Sequence, residues 1–130
     1  MESGILTGVA RTFAPQIVYF NASGVLFVTT GVGRFLVPAP MQLLDASMTV
    51  NTAPTTTSII VDINKNGTTI FTNQNNRLTI AATANTTLQP IIPDITLLNI
   101  NDYLTVDIDQ IGSGTAGSDL TVVIRYRLFP

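Results

Sequence analysis

The chain has 130 residues, six basic and eight acidic side chains, a net charge of −2, and no Cys, His or Trp. That length suits one ordinary domain able to bury a core without staples. Lack of Cys excludes disulfides and thiolate metal sites, and lack of His removes the commonest general base and the commonest metal ligand.

No segment keeps a helical period. Thr, Val and Ile dominate, punctuated by Asn, Gly and Pro, as in a chain of many short strands. Residues 1–15 carry Gly4, Gly8 and Pro15 and read as an extended N-terminal arm; residues 16–130 read as one β-sandwich domain. Gln16 to Phe20 and Gly24 to Thr30 are predicted strands, with Asn21-Ala22-Ser23-Gly24 a turn between them. Gly31-Val32-Gly33 is expected to break the next run, leaving Arg34 to Val37 as a short strand stopped by Pro38 and Pro40.

Gln42 to Val50 is a further strand. Ser58 to Asn64 alternates and is turned back by Lys65-Asn66-Gly67 into Thr68 to Thr72, because an Asn-Gly pair tolerates the positive φ of a tight hairpin. Leu78 to Ala82 is a strand, and Pro90 and Pro93 flanking Ile91-Ile92 indicate an edge or an irregular crossover. Leu104, Val106 and Ile108 alternate with Thr105, Asp107 and Asp109. After a Gly/Ser-rich loop, Leu120, Val122 and Ile124 alternate with Thr121, Val123 and Arg125. Each run has an apolar and a more polar face, and the two are expected to pair as one antiparallel sheet on a core. Eight or nine such strands predict an all-β antiparallel sandwich, jelly-roll-like, with an immunoglobulin-type sandwich as the alternative.

Charged residues make up only 11% of the chain, against roughly 25% in ordinary soluble domains, while hydrophobic residues make up 45%. The polar surface must come from Asn, Ser and 20 Thr. That balance favours an outside partly buried against protein partners. The basic residues are scattered, so nucleic acid is not an expected partner. No apolar run reaches membrane length, so a membrane is not expected either. Met1-Glu2-Ser3-Gly4 lacks the charged and apolar regions of a signal peptide, so the expectation is a chain made in the cytoplasm.

Asp107 and Asp109 are the first residues to weigh for chemistry. Positions i and i+2 share a strand face roughly 6.5–7 Å apart, a spacing compatible with a glycosidase pair or two Ca²⁺ ligands. The simpler reading is a polar outer face, with Asp107 placed to meet Arg125 across the expected strand pair. Asp62 would join them if its strand is adjacent. No His is present to activate a Ser, and the only Lys, Lys65, sits in a turn. The expectation is no catalytic site, no cofactor and no metal, with Asp107 and Asp109 the residual metal candidates. Tyr19, Tyr103 and Tyr126 are the candidates for a sugar platform.

Two stretches carry a resemblance. One is Ile60-Val61-Asp62-Ile63-Asn64-Lys65-Asn66-Gly67-Thr68-Thr69-Ile70-Phe71; the other is Asp102-Tyr103-Leu104-Thr105-Val106-Asp107-Ile108-Asp109-Gln110-Ile111-Gly112 with Gly114 to Val122 after it. The chain from roughly Met41 to Tyr126 resembles small β-sandwich domains of tailed-bacteriophage virions, found in capsid decoration (cement) proteins and in tail, collar or fibre components. The resemblance implies structural work rather than catalysis. A domain with an arm and no added shaft fits a decoration protein, which implies a homotrimer on the capsid surface, gripping the major capsid protein. Ile5, Leu6, Val9 and Phe13 of the arm and Leu128, Phe129 and Pro130 at the other end are the expected partner contacts. The alternatives are a tail, collar or fibre-associated module binding host glycans or a tail partner, and a glycosidase-like enzyme using Asp107 and Asp109.

Overall fold

A computed structural model describes residues 14–129. It contains nine strands: β1 Gln16–Val25, β2 Thr29–Leu36, β3 Met41–Thr52, β4 Ile59–Lys65, β5 Thr68–Thr69, β6 Leu78–Ile80, β7 Leu97–Leu98, β8 Tyr103–Gln110 and β9 Ser118–Leu128. They form two antiparallel sheets, ordered β1-β9-β3-β7 and β2-β8-β4-β5, with β6 sharing the outer edge of β4 with β5.

That order has a simple reading. First pairs with last (β1 with β9), then β2 with β8, β3 with β7, and β4 with β5. The chain is one long doubled hairpin wound so that its successive arms fall in alternate sheets, which is the jelly-roll arrangement. The expected all-β sandwich is the observed fold.

Alternation explains why the sheets close on each other. Ala46, Met48 and Val50 of β3 and Leu120, Val122 and Ile124 of β9 are buried from one side. Ile59, Val61 and Ile63 of β4 and Leu104, Val106 and Ile108 of β8 are buried from the other. Each of the Val, Leu, Ile and Met side chains among them contributes about 1.5–3 kcal/mol by leaving water. The innermost turn is as the sequence predicts: Asn66 and Gly67 take φ of 53° and 86°, the two positive values a tight hairpin needs to match strand twist. β5 ends at Thr69 rather than Thr72, because Ile70 and Phe71 both turn into the core and break the alternation.

Three expectations are corrected. Asn21-Ala22-Ser23-Gly24 is not a turn; β1 runs through it. Gly24 at φ 80° absorbs an irregularity opposite Asp119, whose Oδ1 accepts the Gly24 N–H at 2.7 Å. Gly31 and Gly33 do not end a strand either. They shift the register of β2 against β8 twice and let it continue to Leu36. The largest correction concerns β8 and β9, which are in opposite sheets and do not pair. Asp107 therefore cannot face Arg125. It lies opposite Asp62 of β4, while Arg125 lies opposite Asp45 of β3. Alternation reveals which residues point inward but not which strand lies alongside. The loop between β8 and β9 crosses the end of the sandwich, held there by Thr55 N–H to Thr115 O at 3.0 Å and Gly112 N–H to Ala116 O at 3.0 Å.

Candidate functional site

The polar outer face of the sheet β2-β8-β4-β5 gathers the acidic residues singled out above. Asp62 and Asp107 are direct register partners, and Asp109 follows on the same face of β8. The strands are adjacent, so the three carboxylates do share one region. Each is engaged by the protein's own donors. Asp107 accepts the Gly31 N–H at 2.9 Å on one oxygen and the Asn64 amide at 2.8 Å on the other. Asp109 accepts Arg77 Nη1 at 2.8 Å. Asp62, only 7% exposed, accepts the Thr69 hydroxyl at 2.6 Å and the Ile63 N–H at 2.8 Å.

Burial raises the Asp62 carboxyl above the ordinary carboxylate range, opposed by its bonds from Thr69 and Ile63 and reinforced by the charge of Asp109. Among the described residues no group of three or more His, Cys, Asp or Glu is arranged to hold a metal ion. The arrangement ties edge strand β2 and the Thr69–Arg77 segment to the sheet. It presents no pair of open carboxylates flanking a cleft, which glycoside hydrolysis needs.

The three tyrosines occupy three separate places. Tyr19 stands on the outer face of edge strand β1, 58% exposed. Tyr103 lies on the outer face of the other sheet beneath the Arg34 guanidinium, 4.1 Å from its ring centre. Tyr126 points inward, its ring 6.1 Å from that of Phe35. They do not make one sugar platform.

Charge elsewhere is also spent internally. Arg125 grips Asp45 with two bonds of 2.8 and 2.6 Å, and Lys65 meets Asp102 at 3.7 Å. Asp102 is lowered below its usual range by the Asn66 amide and then the Asn99 N–H. With these groups paired to one another, much of the outward surface is left to uncharged residues.

Many of those are apolar. Eleven large apolar side chains are exposed among the described residues. Val25, Phe27 and Val28 crowd the corner between β1 and β2, where Ala22, Val25, Leu26, Phe27, Val32 and Ile108 help line a cavity of about 260 Å³. Leu36 and Ile100 flank Val37, which is paired to Asn101 and Asp102 at the opposite end of the sandwich. Leu97 and Phe129 lie at the same end, beside the start of β3. Leu88, fully exposed, and Ile92 lie on the long connection from β6 to β7, next to a groove of about 530 Å³ lined in part by Arg77, Thr86 and Ile91.

Of the expected partner contacts, Leu128 pairs with Met41 and packs against the core, while Phe129 donates its N–H to Pro40 O and remains 46% exposed. Ile5, Leu6, Val9, Phe13 and Pro130 lie outside the described residues. Sequence reasoning missed the exposed corner. The run Val25-Leu26-Phe27-Val28 reads as strand interior, yet only Leu26 is buried. The available signal was its lack of alternation, since a half-covered strand cannot turn four successive side chains inward.

No family model matches this chain, and no curated protein matches it. Among solved structures it is similar to a chain of the cyanophage Pam1 capsid asymmetric unit, with 14% identity and a TM-score of 0.44 over 90% of this chain and 86% of that one.

Proposed function

We propose that this chain is a structural virion protein: a decoration protein that assembles as a homotrimer and stabilises the head of a tailed phage by gripping its major capsid protein. The observation that carries the reading is the surface. Exposed Val25, Phe27, Val28, Leu36, Leu88, Ile92, Leu97 and Ile100 accompany ion pairs that consume charge within the domain. A scattering of single exposed apolar residues is ordinary, but clusters on a weakly charged domain fit surfaces that assembly covers. The phage assignment rests on the resemblance of the Met41–Tyr126 stretches to virion β-sandwich domains.

The mechanism is mass action. A protein that binds only the assembled shell shifts the balance away from rupture, and three linked subunits multiply weak individual contacts. Cyclic symmetry hides equivalent apolar patches on every copy. A glycan-binding tail module has less support, because the tyrosines do not converge.

Light scattering on the purified chain, followed by co-sedimentation with empty phage shells, tests the reading. The expected result is a mass of three chains that pellets with shells. A monomer that stays in the supernatant overturns it.

A further inference from the structure

Asn66-Gly67 is the one Asn-Gly pair in the chain. Asparagine is chemically labile. The main-chain nitrogen that follows it can attack its side-chain carbonyl carbon, and a following glycine leaves that nitrogen unshielded because it has no Cβ. Every other Asn in the chain is followed by a residue with a side chain. Asn66 and Gly67 are both exposed, and a Cβ on Gly67 would meet nothing within 4 Å. Solvent therefore reaches the pair.

What restrains the reaction is the seat of the Asn66 carboxamide. Its Oδ1 accepts the Tyr103 N–H at 3.0 Å, and its Nδ2 donates to Asp102 Oδ1 at 2.9 Å. The Asn66 main chain is fixed to the same neighbour, its N–H donating to Tyr103 O at 2.9 Å. Asp102 is held in turn, its Oδ2 accepting the Asn99 N–H at 2.7 Å. The turn between β4 and β5 is thereby latched to the start of β8 by one amide with a different partner at each end. For the Gly67 nitrogen to attack, the carboxamide must give up both partners and fold back over its own main chain. One of those bonds is to a carboxylate and belongs to the stronger class. The unfolded chain has neither restraint.

The products do not fit the seat. The Gly67 nitrogen bonds to the Asn66 side-chain carbon, the bond from that carbon to Nδ2 breaks, and ammonia leaves with the two Nδ2 hydrogens and the Gly67 amide proton. Water then opens the cyclic imide. Opening at the side-chain carbon gives aspartate; opening at the main-chain carbon gives isoaspartate, whose main chain runs through the former side chain. Nothing is oxidised or reduced. An aspartate at position 66 has no N–H to offer Asp102 and sets a second carboxylate against it. An isoaspartate adds a main-chain carbon to a two-residue turn that pairs Lys65 with Thr68 and Asn64 with Thr69. We infer that Asn66-Gly67 is a modification site gated by folding: the native latch protects the amide, the unfolded chain loses it, and the product cannot take the same seat. The site is a one-way record of time spent unfolded. It does not depend on the reading of the protein as a shell component.

Two measurements on the full chain test this. The first follows amide loss at Asn66 by peptide mapping, in native protein and in protein unfolded in urea, both in mildly alkaline buffer. A free peptide of residues 64–69 in the same two buffers corrects for urea itself. Loss should be at least roughly tenfold slower in the native protein, the ratio that about 1.4 kcal/mol of added barrier produces. Equal corrected rates overturn the inference. The second measurement is the urea midpoint of Asn66→Asp, alone and combined with Asp102→Asn. The single change should lower the midpoint. The second change should raise it again, because the new amide at position 102 donates back across the latch while its oxygen still accepts the Asn99 N–H. If Asn66→Asp does not fold, the double variant should. No destabilisation by Asn66→Asp, or no recovery in the double variant, overturns the claim that the product is rejected.

Discussion

The polar face of the β2-β8-β4-β5 sheet and the flank beside β1 put opposite materials to use. On the face, Asp62, Asn64, Asp107 and Asp109 are close together, yet each is bonded to a neighbour in the fold. On the flank there is no charge along ten residues of strand, its outer edge has no partner strand among the described residues, and Ile17 and Tyr19 are exposed. A cluster of charged residues invites a search for chemistry, but here the charges fasten loops and edges to the sheet. The surface with unspent capacity is the bland one. In a protein so poor in charge, the unsatisfied region is found by asking which backbone and apolar groups lack partners, not where the ionisable groups gather.

Three predictions sharpen the contrast between a committed interior and an uncommitted flank. The largest effect is expected at Gly112. A Cβ there would collide with the Thr115 carbonyl oxygen and come within 2.9 Å of Pro54 Cβ and the Thr55 nitrogen. Two of these are backbone groups that cannot swing aside. Gly112→Ala should cost about 3 kcal/mol, read as a lower denaturant midpoint with an unchanged slope. A midpoint equal to the parent's would mean that the crossing loop relaxes freely.

A matched pair comes next. Ile63→Ala, in the core, should cost about 3 kcal/mol through lost burial and the void left behind. Phe27→Ala, at an exposed corner, should change unfolding stability of the isolated domain by less than about 0.5 kcal/mol. If Phe27 is instead worth as much as Ile63 in dilute solution, the corner is part of the domain's own core and not a free surface.

The smallest effects are in pH dependence, and the two aspartates should differ in sign. Asp102 is lowered in the native state by Asn66 and Asn99, so its stabilisation is present above the ordinary Asp range and is lost as pH falls through the lowered native value. Asp62 is raised by burial, so the native state holds its proton to higher pH than the unfolded chain does. Its contribution worsens as pH rises through that window and the burial penalty vanishes in acid. Asp102→Asn should therefore lower the urea midpoint at pH 7, with the deficit shrinking at pH 3. Asp62→Asn should match or exceed the parent at pH 7 and lose that advantage at pH 3. The same sign for both variants would contradict the assigned bonds.

Much of the architecture was legible because strand alternation is a local property. The inward sets Leu104/Val106/Ile108 and Leu120/Val122/Ile124 follow from period two, and the Asn66-Gly67 turn follows from its two positive φ values. Pairing was not legible. The Gly/Ser-rich loop after Ile111 reads equally well as a hairpin or as a crossing, and only the packing of two sheets chooses the crossing. Gly24, Gly31 and Gly33 look like breaks but act as irregularities inside continuous strands, because Asp119 and Asp107 reach across to bond the N–H groups of Gly24 and Gly31. The carboxylate neighbours were partly legible: Asp62 shares a region with Asp107 and Asp109 as the strand faces allow, but the partners that quiet them, Thr69, Asn64 and Arg77, come from the fold. The exposed corner at Val25 to Val28 was hidden by its own hydrophobicity.

The first-with-last pairing of the strands also sets a timetable. Closing β4 on β5 joins Asn64 to Thr69 across a tight turn, whereas seating β1 on β9 brings together residues such as Asn21 and Thr121, 100 positions apart. Loop closure grows more costly with length, so the cheapest order runs outward from the Asn66-Gly67 turn, and β1 arrives last. Until it does, the β9 edge is open as well. The strand whose outer edge has no partner among the described residues is also the one whose docking completes the fold.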